Sequence, residues 1–380
     1  MFLVLSLVFR AGTLAPACPF CSALAPTVSD DMEDATAAVM ARCESVSAEE
    51  DGFSFCRMQV TDVVKGDPRL ANSVLEVSVL GDVSPGGVFW LVGYGETSLQ
   101  WASPEEVSAQ AVSYFRGLTR LPDAGPRRLE YFLKFLRHGD PFVATDAYNE
   151  FAEASLADIA ELRDQLDRQW IVDQILDPTI PVHRRRLCWT FLSQCGTAAD
   201  AGLLDVSLRH RTADADFDPG MDAAIACCIS LGGETALSRI EQKYMANPDA
   251  PYSDSFAAIN AIRVHGTELD VVPRQRLSAS LRHVLSRPKL ADVVIPDLAR
   301  WKDWSAIERI AELFATSTED NRIVQPAAVL YLKTCPLPAA AEALERLRAL
   351  DPKTVQAAES SMMFYRGLPA VPVPPPVQGS

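Results

Sequence analysis

Between residues 140 and 169 apolar and charged positions recur with the period of a helix. Asp140-Pro141 has the form of a capping carboxylate followed by a first-turn proline, and Phe142, Val143, Ala147, Phe151 and Ala154 follow at helical spacing. Ser155 predicts the cap of a second helix, with Leu156, Ile159, Leu162 and Leu166 on one face and Asp158, Glu161, Asp164 and Asp167 on the other. Two such helices joined by a corner cannot bury their apolar stripes alone, which predicts similar units stacked beside them. The pattern continues through predicted helices to residue 365, broken at Asp177-Pro178, Cys195-Gly196, Gly232-Gly233, His265-Gly266, Arg287-Pro288, Cys335-Pro336 and Asp351-Pro352. Helix pairs recur about every 35 to 40 residues.

Ahead of this region the period changes from helical to alternating. After a short helix at 29–36, strands are predicted at 37–46, 53–64, 74–80 and 88–92, with turns at Lys65-Gly66-Asp67 and Pro85-Gly86-Gly87. Short strands with glycine turns imply a small closed or partly open barrel. Ser103-Pro104-Glu105-Glu106 has the pattern of a helix start, so a helix is expected over 103–121, another over 126–136, and no strand from 103 onward.

A cysteine pair near the front, a strand, and then FxxxxVxxVxKG at 55–66 resemble the netrin-like, tissue-inhibitor-of-metalloproteinase-like modules built on an oligonucleotide/oligosaccharide-binding (OB) barrel. The resemblance covers roughly residues 18–100. It implies the barrel and, as one alternative function, metalloprotease inhibition. Those inhibitors begin CxC and chelate zinc through the first cysteine's amino and carbonyl groups, whereas this chain has CxxC. Residues 126–364 resemble HEAT-type repeats, whose period falls in the range seen here. Together the segments are similar to a group of uncharacterised exported bacterial proteins. The fold class expected is therefore multidomain, β then all-α. A signal peptide at 1–17 would precede an OB-like barrel at 18–100, a HEAT-like α-solenoid at 103–365 and a proline-rich extended tail at 368–380.

Charge narrows the partners. A formal net charge of −15 argues against a surface that tracks phosphates, so no nucleic-acid partner is expected. The basic run His183-Arg184-Arg185-Arg186 is expected to be a solvated helix face. The apolar run 2–9 and Ala15-Pro16-Ala17 before Cys18 look like a secretory signal, which implies export, with lipid anchoring at Cys18 as the minor variant. No later run approaches the ~20 apolar residues of a membrane span.

Of nine cysteines, Cys18, Cys21, Cys43 and Cys56 lie near the front and suggest a disulfide framework. Cys188, Cys195, Cys227, Cys228 and Cys335 fall in or beside predicted helices as core filler. Cys18-Pro19-Phe20-Cys21 also resembles the glutaredoxin dithiol, where a helix N-terminus acidifies the first thiol. The bridge expected is Cys18 to Cys21, or one of these to Cys43 or Cys56, while Cys43 and Cys56 on adjacent strands allow a cross-strand bridge. Asp214, Asp216 and Asp218 open like a calcium loop, but Pro219 and Ile225 occupy the positions that demand glycine and glutamate. No cofactor, metal site or catalytic set is predicted, since HExxH, GxSxG and GxxxxGK[ST] do not occur. Trp301 and Trp304, at a helix corner, are expected to be exposed. The function expected is a non-enzymatic exported scaffold that offers an acidic helical-repeat surface to a protein or peptide; a thiol-redox protein using Cys18 and Cys21 is the alternative.

Overall fold

The computed structural model describes residues 18–50, 52–95, 98–208 and 219–365, with backbone alone at 47–50 and 362–365. The leader at 1–17, the carboxylates at 214–218, His210 and the tail at 368–380 lie outside the described residues. The chain divides into two compact units, Met1–Cys195 and Gly196–Ser380.

In the first unit α1 (Val28–Asp34) precedes β1 (Ala37–Glu50), β2 (Phe53–Lys65), β3 (Val74–Leu80), β4 (Val88–Tyr94), β5 (Gln100–Trp101) and β6 (Glu105–Val107). The strands pair antiparallel in the order β3-β2-β1-β4-β5, with β6 also on β4, and form a nearly closed barrel-like sheet. Alternation decides which side chains enter: along β2, Ser54, Cys56, Met58 and Val60 point inward while Phe53, Phe55 and Arg57 face out. The barrel core joins these to Val39, Ala41, Cys43, Phe89 and Leu91. The central strands β1 and β4 are buried on their second face too, through Met40, Trp90 and Val92. Gly66 ends β2 at φ +105°, where a Cβ would stand 2.9 Å from the Thr36 carbonyl oxygen.

Strand β6 corrects the expected helix over 103–121. Glu105 and Glu106 mimic a helix start, yet Glu105–Val107 pairs with Val88–Trp90 and buries Val107, and the helix begins only at α2 (Val112–Leu118). Backbone pairing with an open sheet edge outweighs a local capping signal. Next come α3 (Pro126–Leu133), α4 (Pro141–Glu153), α5 (Leu156–Ala160), α6 (Arg168–Leu176) and α7 (Val182–Cys195). Asp140 caps α4 as expected, its carboxylate accepting the Phe142 N–H at 2.9 Å. Ser155 caps α5, but that helix ends after five residues and passes into a 3-10 turn, Arg163–Gln165, so the second amphipathic helix is shorter than its pattern.

The second unit carries α8 (Leu203–Ser207), α9 (Met221–Ile240), α10 (Tyr252–Thr267), α11 (Arg274–His283), α12 (Ala291–Arg300), α13 (Ile307–Ala315), α14 (Val324–Thr334), α15 (Pro338–Leu350) and α16 (Pro352–Tyr365). Helix α9 packs on α10. Farther along, alternate helices meet: α12 on α14, α14 on α16 and α13 on α15. The expected break at Gly232-Gly233 is a kink inside α9, where Gly233 takes φ +57° and ψ −142°. Among the described residues one helix, Met221–Met245, is long and apolar enough to cross a membrane by length and composition, and over half of its most apolar stretch is buried within the protein, as in a core helix. Trp301 and Trp304 are half-buried rather than exposed, the first packed on Gly266 and the second 5.2 Å from the Tyr331 ring.

Candidate functional site

Helix α4 positions the site. It is buried nearly all round, and its polar residues Asp146, Asn149 and Glu150 are buried with the rest. Burial without partners would be costly for such groups, and the partners are supplied by the N-terminal strap, residues 18–27, and the start of α1. Asn149 Oδ1 accepts the Leu24 N–H at 2.9 Å and Asp146 Oδ1 the Val28 N–H at 2.8 Å. Glu150 Oε1 accepts the Ser29 hydroxyl at 2.7 Å, and Tyr148 donates its hydroxyl to the Ser22 carbonyl at 3.2 Å. Arg128 closes the far side, donating to both Glu150 oxygens at 2.8 and 2.6 Å. The strap is thus held along the helix by its own backbone.

The beginning of the strap is the dithiol. Cys18 to Cys21 form a β-turn with the Cys21 N–H donating to the Cys18 carbonyl at 3.1 Å and Pro19 at the second position, where its fixed φ suits the turn. This turn brings the two sulfurs to 2.6 Å, both as free thiols. Cys18 is buried, its sulfur 4.0 Å from the Thr190 hydroxyl of α7, and Cys21 is half-buried. Burial pushes the Cys18 thiol up, but hydrogen bonds from the Cys21 thiol, the Phe20 and Cys21 N–H groups and Thr190 outweigh it, and its pKa falls below the ordinary thiol value. Cys21 moves the opposite way: its hydrogen bond to Cys18, burial and the Cys18 charge hold it well above that value, against the pull of Arg186. No helix begins at this turn, since α1 starts at Val28; the acidification comes from the Cys21 thiol first, and then from the turn N–H groups and Thr190, instead of a helix end.

Cys43 and Cys56 lie elsewhere, on β1 and β2 inside the barrel core. They are near neighbours in a register that sets Cys43 opposite Met58 and Cys56 opposite Val46, and burial with the Cys43 charge pushes Cys56 up to about 11. The structure therefore brings together Cys18 with Cys21, and Cys43 with Cys56. Cys188, Cys227, Cys228 and Cys335 are buried in the helical parts, and Cys195 is half-buried at the end of α7.

Sequence patterns did not single out Thr190, Arg186, Tyr148 or Asn149 as partners of the strap. The basic run is also not a solvated face: Arg184 to Arg186 are half-buried, Arg184 donates to the Leu136 carbonyl at 2.9 Å, and Arg186 acts on Cys21. The signal available was the i, i+4 spacing of Arg186 and Thr190 beside an apolar stripe.

A second feature of this unit is a cavity of 390 Å³ lined by the strap, α1, β4, β6 and α4. Asp146 lines it, 4% exposed, and also accepts the Tyr114 hydroxyl. Burial raises the Asp146 carboxyl to about 7, against the hydrogen bonds from Tyr114 and Val28. Among the described residues no group of three His, Cys, Asp or Glu side chains is placed to hold a metal ion.

No protein-family profile matches the chain, and no curated protein matches it. A solved structure of human deoxyhypusine hydroxylase in complex with glycerol is similar at 17% identity over 63% of this chain and 90% of that one, with a TM-score of 0.26, a level that carries no argument about fold or activity.

Proposed function

We propose that the protein is a non-enzymatic exported scaffold whose acidic helical surface binds a protein or peptide, and that Cys18 and Cys21 close as a disulfide clip that locks the turn at the start of the strap, next to α7. The observation that carries the clip over a redox enzyme is that the more acidic of the two cysteines is also the more buried residue. A catalytic dithiol attacks through an accessible, acidified thiolate. Here the acidified sulfur belongs to Cys18, 2% exposed, while the more accessible Cys21 holds its proton more tightly. A disulfide at this turn also fits an oxidising compartment, in line with the leader-like pattern at 1–17.

The OB-like, netrin-like character of the barrel rests on the antiparallel order and the 55–66 pattern. The HEAT-like character of the second unit rests on the packing of alternate helices, α12 on α14 on α16 with α13 on α15, as stacked helix pairs require. The outer face of β2 and β3 offers a contact surface as well, with Phe53 and Leu80 paired across the strands and 41% and 70% exposed.

Intact mass and thiol counting of protein from its native host test the clip. The expected result is a species lacking two thiols at Cys18 and Cys21, in which, after reduction, iodoacetamide labels Cys21 well before Cys18. Faster labelling of Cys18, together with turnover of a disulfide substrate such as insulin, would make the protein a thiol-redox enzyme instead. That alternative draws on the lowered Cys18 pKa, and the same labelling order decides it.

A further inference from the structure

We infer that the outer edge of β3 pairs with the same edge of a second copy of this chain, joining two barrels into one continuous antiparallel sheet. β3 ends the strand order, and among the described residues no other strand pairs with its far side. Unpaired edges are templates for another strand, and folded proteins usually blunt them with short strands, lysine, proline or bulges. The opposite end of the sheet follows that rule, since β5 has two residues and β6 three. β3 does not: its seven residues, VLEVSVL, contain no lysine or proline and hold an unbroken register on β2. Its outward side chains, Val74, Glu76, Ser78 and Leu80, are all exposed.

The ladder to β2 fixes which backbone groups face the edge. The Gly81 N–H donates to the Gly52 carbonyl and the Val60 N–H to the Ser73 carbonyl, each at 2.9 Å. Hydrogen-bonded pairs alternate with unbonded ones in an antiparallel ladder, so between these two ends Leu75, Val77 and Val79 bond to β2. Val74, Glu76, Ser78 and Leu80 therefore aim their N–H and C=O groups at the open edge. Placing two copies antiparallel about Val77 sets Val74 opposite the partner's Leu80 and Glu76 opposite the partner's Ser78. Each of these pairs then exchanges both of its main-chain hydrogen bonds, and the outer faces of the two sheets stay on one side. The cross-strand pair of Phe53 and Leu80 gains the partner's Val74, while Glu76 lies between its own Arg57 and the partner's Ser78. A shift of two residues one way would set Glu76 against the partner's Glu76, and the other way would carry Val74 past the partner's Leu80. The sequence of β3 thus fits its own reverse best in this register.

The pairing occupies the edge of the outer β2 and β3 face and does not involve the acidic helical surface, so a monomeric protein would overturn it and leave the scaffold reading standing. Sedimentation velocity of the full-length protein across the micromolar range tests it. Each copy carries a net charge of −15, so the solution should hold about 0.15 M salt, where charges more than ~8 Å apart are largely screened. The expected result is a reversible equilibrium between monomer and dimer. Ser78→Glu meets the partner's Glu76 with a like charge and should raise the dimer Kd about tenfold. Ser78→Lys meets it with an opposite charge and should lower the Kd several-fold. Ser78→Pro removes an edge N–H that β2 does not use and should also weaken the dimer; its melting temperature shows whether the barrel remains folded. Ser113→Glu puts the same charge on an exposed position of α2 and should change nothing. A monomer at every concentration, a Kd that moves the same way in Ser78→Glu and Ser78→Lys, or an equal loss in Ser113→Glu would overturn the inference.

Discussion

Asp146 accepts the backbone N–H of Val28 at 2.8 Å across 118 residues of chain, and its second oxygen takes the hydroxyl of Tyr114. One buried carboxyl therefore ties together the start of α1, the helix after the barrel and the helix that carries the strap. Asp146→Ala strands two buried donors and should cost about 3 kcal/mol of unfolding free energy in urea. Asp146→Asn keeps one acceptor and should cost roughly half as much, so equal losses in the two variants would count against the hydrogen bonds as the cause.

The same group predicts a pH dependence. Its folded pKa is about 7, raised from the ordinary 3.8, so between these values the folded state binds more protons than the unfolded chain. Stability contributed by the proton is present below the lower value and is lost as pH rises through the upper one. Glu150 and Glu153, both raised by burial, act in the same direction. Carboxyls held low by hydrogen bonds, Asp67 and Asp167 among them, oppose it only at more acidic pH. His183 and His265, lowered by burial, work the other way up to about pH 6.5, so the test is the difference between parent and Asp146→Asn: the parent's urea midpoint should lose ground relative to the variant's from about pH 5 to pH 8, and parallel curves would refute the assignment.

At the dithiol, Thr190→Val removes one hydrogen bond to the Cys18 thiolate and should raise the Cys18 pKa. Arg186→Gln removes the positive charge that works against the raised Cys21 pKa and should raise that one further. Thiolate absorbance at 240 nm in single-cysteine backgrounds would read each change. Unaltered titration in both variants would mean that α7 does not set the charge on the sulfurs.

In the sheet, Gly93 leaves room for the Trp101 ring, whose nearest atoms would stand 3.0 Å from an added Cβ. Gly93→Ala should cost about 1 to 3 kcal/mol, and pairing it with Trp101→Leu should recover much of the loss in thermal melts. Additive losses in the double variant would place the strain elsewhere.

In the second unit Arg263 grips Asp297, 1% exposed, through Nε and Nη2 at 2.9 and 2.7 Å. Asp297→Ala leaves the half-buried guanidinium without its carboxylate, with only Asn260 and the Val293 carbonyl to accept from it, and should cost about 3 kcal/mol, whereas Arg263→Met with Asp297→Leu should come closer to the parent. A double variant as unstable as the single one would refute this account.

What the sequence determined by itself is local. The alternation at 74–80 matches β3, Asp140 and Ser155 cap the helices they precede, and Gly66 and Gly233 mark a turn and a kink, because each depends on spacing and dihedral preference within a few residues. Tertiary structure alone decided what sits far apart in sequence. Glu105–Val107 became a strand because β4 had an unpaired edge, α5 stopped short of its apolar pattern, and Thr190 met Cys18 across 172 positions. The buried acids of α4 are satisfied only by a strap more than a hundred residues upstream. Period and propensity carry no record of such partners, which are chosen when burial makes an unmet hydrogen bond or charge too costly to leave.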